Sequence, residues 1–149
     1  IKLGDGKSLR LSDYRGRVVA LEVLLTTCPG CQRASQTLNR LYGEYGKRGL
    51  QPLGVAIDDA SKVAGYIQQF DLKYPVGFAP RNLMVDFLQH PPMVSMMMPQ
   101  LVFIDPQGVI RAQYNGTDSF FQDEEKNMRR VIESLLPSSR KKVAAKKKS

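Results

Sequence analysis

The chain has 149 residues, of which 42% are apolar and 24% are charged. This length predicts a single domain whose core is large enough to fold without stabilising disulfides or metal ions. The balanced composition excludes fibrous and wholly disordered classes, and no window holds the roughly 18 uninterrupted apolar residues of a membrane span. The N-terminus has no Met and no apolar signal-peptide core, so we expect that a leader or anchor has been trimmed.

The net charge of +8 is concentrated at one end of the chain. Residues 140–149 hold six basic groups and no acid, which leaves 16 basic and 14 acidic groups elsewhere, a net charge of +2. Because the charges outside residues 140–149 are nearly balanced, this part of the chain indicates no specific nucleic-acid recognition. We therefore predict a folded domain over 1–137 and a basic, disordered tail over 138–149.

The first half of the predicted domain alternates strands with helices. Residues 1–16 contain a Gly-Asp-Gly turn signal and predict a hairpin or extended segment. The apolar run at 17–25 predicts a strand buried on both faces. Helical spacing of apolar residues then predicts a helix over 32–48, followed by a strand at 51–57 and a helix at 60–70.

The second half is predicted to complete the same sheet. A short strand is expected at 74–78 and a helix at 81–88. Two strands at 101–104 and 109–114 flank an Asp-Pro-Gln-Gly sequence that is typical of a type I turn, and a helix follows at 118–136. The pattern predicts an α/β fold in which helices flank a central mixed sheet.

Cys28 and Cys31 are the only cysteines, and they lie at the first strand-to-helix junction. Two Cys and one His cannot supply the four ligands of a structural zinc site, and so short a loop gains little from a structural disulfide. At a helix start, unpaired N–H groups favour a thiolate on Cys28, and Cys31 one turn later can resolve a mixed disulfide. We predict a redox-active Cys28–Cys31 disulfide, with no other cofactor and no metal.

Glu22 and Pro99 are the next candidates. Glu22 interrupts the apolar strand six residues before Cys28, where burial would raise its pKa and let it accept the proton of the second thiol. The alternative is a structural carboxylate, exposed at the strand end or neutralised by an arginine such as Arg17. Pro99 precedes the 101–104 strand and marks either a strand start or a cis peptide; local sequence favours trans.

Together these segments resemble the thioredoxin-fold thiol-disulfide oxidoreductases, in the TlpA/ResA-like branch of the AhpC/TSA-Redoxin grouping. The resemblance covers about residues 3–136, in the family's order. Its most similar segments are 6–19, 28–31, 54–58 and 98–108. The resemblance implies a thioredoxin-like fold with an N-terminal β extension.

The resemblance also implies residue roles. Cys28 would attack, Cys31 would resolve, and Glu22 would be the buried acid of the catalytic set. Pro99 would be a cis-proline that faces the disulfide, and the backbone of Met98 would pair with a substrate peptide.

Two positions beside the cysteines depart from the family pattern. Thr27 stands where the family usually has Trp, and Pro29 precedes Gly30 in the reverse of thioredoxin's order. Both border the surface around Cys28, so Thr27 and Pro29 join Met98 and Pro99 as predicted substrate-binding residues. The expected partners are protein thiols or disulfides and an upstream redox protein. We expect a monomer in the bacterial periplasm or another extracytoplasmic site, with the cytoplasm as the alternative.

Two other functions compete with this prediction. Peroxiredoxin-type peroxidases resemble one another in a P-x-x-x-T/S-x-x-C motif. In this chain Leu21 stands where that motif has Pro, and Leu25 stands where it has Thr or Ser. A Cu(I)-binding chaperone could use the cysteine pair with the Met-rich segment 90–98, because thioether and thiolate ligands suit Cu(I). The simpler interpretation of that segment is a flexible apolar loop at the edge of the substrate groove.

Overall fold

A computed structural model describes residues 1–137, so the prediction of a disordered tail over 138–149 falls outside the described residues. The strands are β1 (Val18–Leu24), β2 (Leu50–Ala56), β3 (Val76–Phe78), β4 (Gln100–Ile104) and β5 (Ile110–Tyr114). The helices are α1 (Pro29–Tyr45), α2 (Val63–Phe70), α3 (Arg81–Leu88) and α4 (Glu124–Leu135). All the strands and helices expected from the hydrophobic pattern are present. Within residues 1–137, no helix is both long and apolar enough to span a membrane.

The five strands form one mixed sheet in the order β3-β2-β1-β4-β5. The central strand β1 runs parallel to β2 and antiparallel to β4. This pairing places Glu22 between Gly54 on one neighbour and Leu101 on the other. The predicted mixed sheet flanked by helices is therefore confirmed, with Glu22 in its middle strand.

The sheet separates two apolar cores, because alternate residues of a strand point to opposite faces. Ala20 and Leu24 belong to the core that packs against α1, α2 and α4. Leu21 and Val23 belong to the core that packs against α3 and the N-terminal segment. Glu22 has the same parity as Ala20 and Leu24, so its side chain points toward α1.

The N-terminal segment extends the sheet at its β3 edge, as the resemblance implied. Lys2 forms isolated antiparallel bridges with Ser8 and with Phe78. The N–H of Lys2 donates to the Phe78 carbonyl at 2.9 Å, and the N–H of Phe78 donates back at 2.8 Å. Gly77 allows this close approach, because a Cβ atom there would collide with the Lys2 carbonyl.

Helix α1 begins three residues earlier than predicted, which places the motif in its first turn. Cys28 is the N-cap, and its Sγ accepts a hydrogen bond from the N–H of Cys31. Pro29 occupies the first helical position, where its missing N–H costs nothing. The predicted C-terminal turn is instead a 3₁₀ turn at Gly46–Arg48, which ends at Gly49 with φ of 114°.

Helices α2 and α4 begin later than predicted, because 3₁₀ turns precede both. These turns are Ala60–Lys62 and Ser119–Asp123. An aspartate caps each: Asp59 accepts from the N–H of Ser61, and Asp118 accepts from the N–H of Phe120. Such caps satisfy free N–H groups at the start of the turn, and 3₁₀ turns are common at helix N-termini.

Candidate active site

Cys28 lies at the point where the chain leaves the sheet and enters α1. The loop before it is anchored by Asp58, whose Oδ2 accepts hydrogen bonds from the N–H (3.0 Å) and hydroxyl (2.7 Å) of Thr26. The N–H of Cys31 lies 3.2 Å from the Cys28 Sγ and points toward it. This N–H is one of the free donors of the first helical turn, and the Cys28 sulfur accepts it as the N-cap.

The two sulfurs have opposite environments although only two residues separate them. Both cysteines are free thiols; Cys28 is partly exposed and Cys31 is 0% exposed. Burial raises the pKa of the Cys31 thiol, and its hydrogen bond with Cys28 and the charge of Glu22 raise that pKa further. Cys31 therefore needs a nearby proton acceptor before it can act as a nucleophile.

Glu22 is completely buried on the α1 side of the sheet, where it contacts Ser35. The Ser35 hydroxyl donates to the Glu22 Oε1 at 2.6 Å, while Oε2 is buried and has no hydrogen-bond partner within residues 1–137. Burial raises the pKa of Glu22 well above its usual value, which the Ser35 hydrogen bond opposes and the charge of Cys28 reinforces. Arg17, the partner considered from the sequence, instead donates to Gln51 at 3.0 Å.

A groove of about 180 Å³ lies beside Cys28, and Met98 and Pro99 form one side of it. The Met98–Pro99 peptide bond is cis, as the resemblance implied, so the local expectation of trans is wrong. A Cβ atom built on Gly30 would lie 3.7 Å from the Pro99 Cδ and 4.0 Å from the Cys28 Sγ. The cysteine and the proline, 71 residues apart in the chain, thus face one small space.

The four predicted substrate-binding residues differ in exposure. Thr27 and Pro29 are exposed beside the motif, Met98 is half-buried, and Pro99 is buried. Met98 and Pro99 line the groove together with Cys28, while Thr27 lines a separate depression on the other side of the motif. The fold therefore brings two of the four to the groove and leaves Thr27 and Pro29 outside its lining.

The profile of the AhpC/TSA family matches residues 1–113. The chain belongs to the AhpC/TSA family. It is 28% identical over 133 residues to the thiol-disulfide oxidoreductase ResA of Geobacillus kaustophilus, covering 89% of this chain and 71% of that protein. It is 32% identical over 73 residues to ResA of Bacillus thuringiensis subsp. konkukian, covering 48% of this chain and 42% of that protein. The matched region therefore spans less than half the length of this second relative.

The fold is that of the thioredoxin-like proteins of this family. A crystal structure of a thiol:disulfide interchange protein of the thioredoxin family from Chlorobium tepidum superposes with a TM-score of 0.72. It covers 91% of this chain and 90% of that one at 20% sequence identity, which supports the shared fold alone. The resemblance inferred from the sequence motifs is confirmed, and these relatives favour neither the peroxidase nor the copper-chaperone alternative.

Sequence analysis missed three residues that the fold brings to the site. Ser35 contacts Glu22, and Tyr66 of α2 lies 2.7 Å from the Ser35 hydroxyl. Glu124 of α4 lines the groove beside Cys28, and its pKa is raised by burial, against the opposing charge of Arg33. The sequence carried a signal only for Ser35, a polar residue four positions after Cys31 on the apolar face of a predicted helix.

The Met-rich segment forms a loop between α3 and β4 whose last residue reaches the groove. Met93 is 94% exposed and Met97 is 46% exposed, whereas Met96 is buried in the core beneath α3. The Nε2–H of His90 donates to the Val94 carbonyl at 2.8 Å, within the same loop. Across residues 1–137, no three His, Cys, Asp or Glu side chains converge as a metal site would require.

Proposed function

We propose that this chain is a thiol-disulfide oxidoreductase that exchanges its Cys28–Cys31 dithiol with disulfides in protein partners. The observation that carries the proposal is the contrast between the two sulfurs. Cys28 is accessible and receives an N–H group at the start of α1, whereas Cys31 is buried. The relatives named thiol-disulfide oxidoreductase ResA support the same activity.

In the first step the Cys28 thiolate attacks one sulfur of the substrate disulfide. A bond forms between Cys28 and that sulfur, and the other substrate sulfur leaves as a thiolate that takes a proton from water. The Cys31 N–H and the N-terminus of α1 stabilise the attacking thiolate. The product is a mixed disulfide that covers the groove beside Cys28.

In the second step Cys31 attacks the Cys28 sulfur and releases the substrate as a second thiolate. Two electrons have then passed from the cysteine pair to the substrate disulfide, leaving Cys28 and Cys31 bonded to each other. The Cys31 thiol must lose its proton in a buried site, and the Glu22 Oε2, which has no partner within residues 1–137, is the acceptor. A neighbouring dithiol protein, the upstream partner, would reduce the new disulfide to restart the cycle.

The substrate is proposed to be an extended peptide that lies along the segment before β4. In the described part of the chain the N–H of Met98 donates to no acceptor, and Met98 is half-buried at the groove. A backbone pairing there would carry a substrate cysteine past Pro99 toward Cys28. Pro29 is exposed beside Cys28 and would border the peptide, and Thr27, in place of Trp, would border it on the other side of the motif.

We propose that the protein acts as a monomer.

Turnover of a protein disulfide tests the proposal. The reduced protein should accelerate the reduction of insulin by dithiothreitol, because it supplies a faster nucleophile than the free dithiol. Cys28→Ser should abolish the acceleration, and Glu133→Gln, at an exposed position on α4, should leave it unchanged. No acceleration by the wild-type protein, or full acceleration by Cys28→Ser, would refute the assignment.

The reduction potential of the Cys28–Cys31 disulfide decides the direction of electron transfer. A value of about −270 mV would indicate a reductant, and a value of about −120 mV would indicate an oxidant.

A further inference from the structure

A chain of hydroxyl groups leads away from Glu22 on the side opposite the groove. The Ser35 Oγ lies 2.6 Å from the Glu22 Oε1 and 2.7 Å from the Tyr66 hydroxyl. A serine hydroxyl has one hydrogen. When Ser35 donates to Glu22, the hydrogen between Ser35 and Tyr66 must therefore come from Tyr66. Both hydrogen bonds then point toward the carboxylate.

The same contacts can run in the opposite direction. When Glu22 carries a proton on Oε1, it donates to Ser35, Ser35 donates to Tyr66, and the Tyr66 hydrogen is released from the chain. Burial raises the pKa of Tyr66, so the tyrosine would pass a proton through its hydroxyl without ionising. The second carboxyl oxygen, Oε2, has no partner within residues 1–137.

Tyr66 also lines a surface depression of about 390 Å³, separate from the groove beside Cys28. Its other lining residues are Thr26, Thr27, Lys62, Gly65 and Gln69. None of these lines the groove beside Cys28. Of the lining residues, only Thr27 is proposed to border the substrate, so the part of the depression lined by Lys62, Gly65 and Gln69 stays open to water when the groove is occupied.

We propose that Ser35 and Tyr66 form a proton relay between Glu22 and the depression beside Thr26, so that the Cys31 proton leaves on the side away from bound substrate. The inference rests on the proposed function and adds the path of the proton. The step begins with Glu22 protonated on Oε1 and donating to Ser35. As Cys31 attacks Cys28, its proton moves to the Glu22 Oε2 while the Oε1 proton passes to Ser35. Ser35 passes its own proton to Tyr66, and Tyr66 releases its hydroxyl proton to water. The substrate thiolate takes one proton from solvent, so the protons balance and two electrons pass to the substrate.

The titratable groups that face Glu22 from the neighbouring elements are Cys28, Cys31, Tyr66, Tyr74 and Glu124. Tyr74 is as buried as Tyr66, but its hydroxyl donates to the Ser35 backbone carbonyl at 3.1 Å rather than to the Ser35 hydroxyl. It therefore supports α1 without belonging to the relay.

This difference gives a matched pair of variants. Tyr66→Phe and Tyr74→Phe each remove one buried hydroxyl beside Ser35, and only the first breaks the relay. The probe is the mixed disulfide of Cys28 with glutathione, whose resolution by Cys31 is followed by acid quench and mass spectrometry. Tyr66→Phe should slow resolution about tenfold at pH 7, less than the ~100-fold typical of a lost acid–base group. Tyr74→Phe should resolve at the wild-type rate.

A titration separates the relay from packing effects. The carboxyl stretch of Glu22, assigned by difference from Glu22→Gln, reports its protonation in the infrared spectrum. Tyr66→Phe should raise the pKa of Glu22, because Ser35 without its own donor is a weaker donor to the carboxylate. Tyr74→Phe should not raise it.

Two results would overturn the relay alone: equal resolution rates in the two Phe variants, or a Glu22 titration unchanged by Tyr66→Phe. A wild-type protein that never resolves the mixed disulfide would overturn the proposed function, and the relay with it. The two failures are therefore distinguishable.

Discussion

The groove beside Cys28 and the cluster of Glu22, Ser35 and Tyr66 behind Cys31 differ in their exposure to solvent, although the two sulfurs occupy one helical turn. The groove is open and is bordered by Met98, Pro99 and the half-buried Glu124. Glu22 and Ser35, behind Cys31, are completely buried. Capture of a large substrate requires access, whereas proton transfer from a buried thiol requires a fixed acceptor that water does not replace. The motif lies beyond the end of the central strand β1, where one helical turn holds both an accessible sulfur and a buried one.

Trapping experiments test this contrast with the largest expected effect. Cys31→Ser should accumulate a stable mixed disulfide with a disulfide-containing protein, because the accessible Cys28 still attacks and nothing resolves the product. Cys28→Ser should form none, because Cys31 is 0% exposed. Mass spectrometry of the adducts measures both. Adducts on Cys31 in the Cys28→Ser protein would show that the buried sulfur is accessible and would reverse the roles.

Removal of the Glu22 carboxyl should give the next largest effect. In Glu22→Leu, resolution of the mixed disulfide near pH 7 should slow by about 100-fold, the usual size of a lost acid–base contribution, while attack by Cys28 continues. Stopped-flow measurement of the two steps separates them. Equal slowing of both steps would indicate a distorted motif, and no slowing would make Glu22 a structural carboxylate.

The same variant should change how stability depends on pH. The unfolded carboxyl titrates near 4.5 and the folded one higher, so between these values the folded protein binds more protons than the unfolded chain. The contribution of Glu22 to the free energy of unfolding of the wild type is therefore complete below pH 4.5. It is lost as the pH rises through the folded pKa. Above that window Glu22→Leu should be level with the wild type or more stable, by roughly 1 kcal/mol or more.

Urea denaturation across the pH range measures this effect. The control is Glu133→Gln on α4, because Glu133 is half-exposed and lies 3.0 Å from Arg48. Its pKa is lowered by that hydrogen bond, so its small contribution runs in the opposite pH direction. A Glu22→Leu protein that loses stability at every pH would reveal a favourable partner for the carboxylate.

The smallest expected effect concerns the charge of the groove. Glu124→Gln removes a carboxyl from the lining beside Cys28 and should speed attack on an anionic disulfide such as oxidised glutathione. A charge at about 4 Å in water contributes about 1 kcal/mol, so the gain should be about fivefold or less. Cystamine, a cationic disulfide, should react no faster with the variant. An equal change with both reagents would show an effect of shape rather than charge.

Short-range sequence signals predicted the elements well because they depend on neighbouring residues. The apolar run at 17–25 and the helical spacing after Cys31 each define one element without knowledge of the rest. The end of β1 and the start of α1 then place Cys28 at a helix N-terminus. The error in the start of α1 arose because the cap uses the Cys28 sulfur itself, which is not among the common capping residues.

Long-range contacts were predictable only where the family resemblance supplied them. Pro99 beside Cys28 came from the resemblance, and local sequence predicted the wrong peptide isomer. The contacts among Glu22, Ser35 and Tyr66 join β1, α1 and α2, and no segment of the sequence contains all three. The position of Glu124 in the groove was not predicted for the same reason, because it lies on α4, far along the chain from Cys28.

The sequence by itself determined that a buried acid-bearing strand leads into a cysteine pair at the start of a helix. Alternation and helical periodicity are properties of residues a few positions apart, so they survive without a tertiary context. Only the tertiary structure decided which hydroxyl meets the Glu22 carboxyl and which carboxyl enters the groove beside Cys28. Those contacts depend on how α1, α2 and α4 are seated on the sheet, because packing between distant segments sets side-chain distances that local preferences do not.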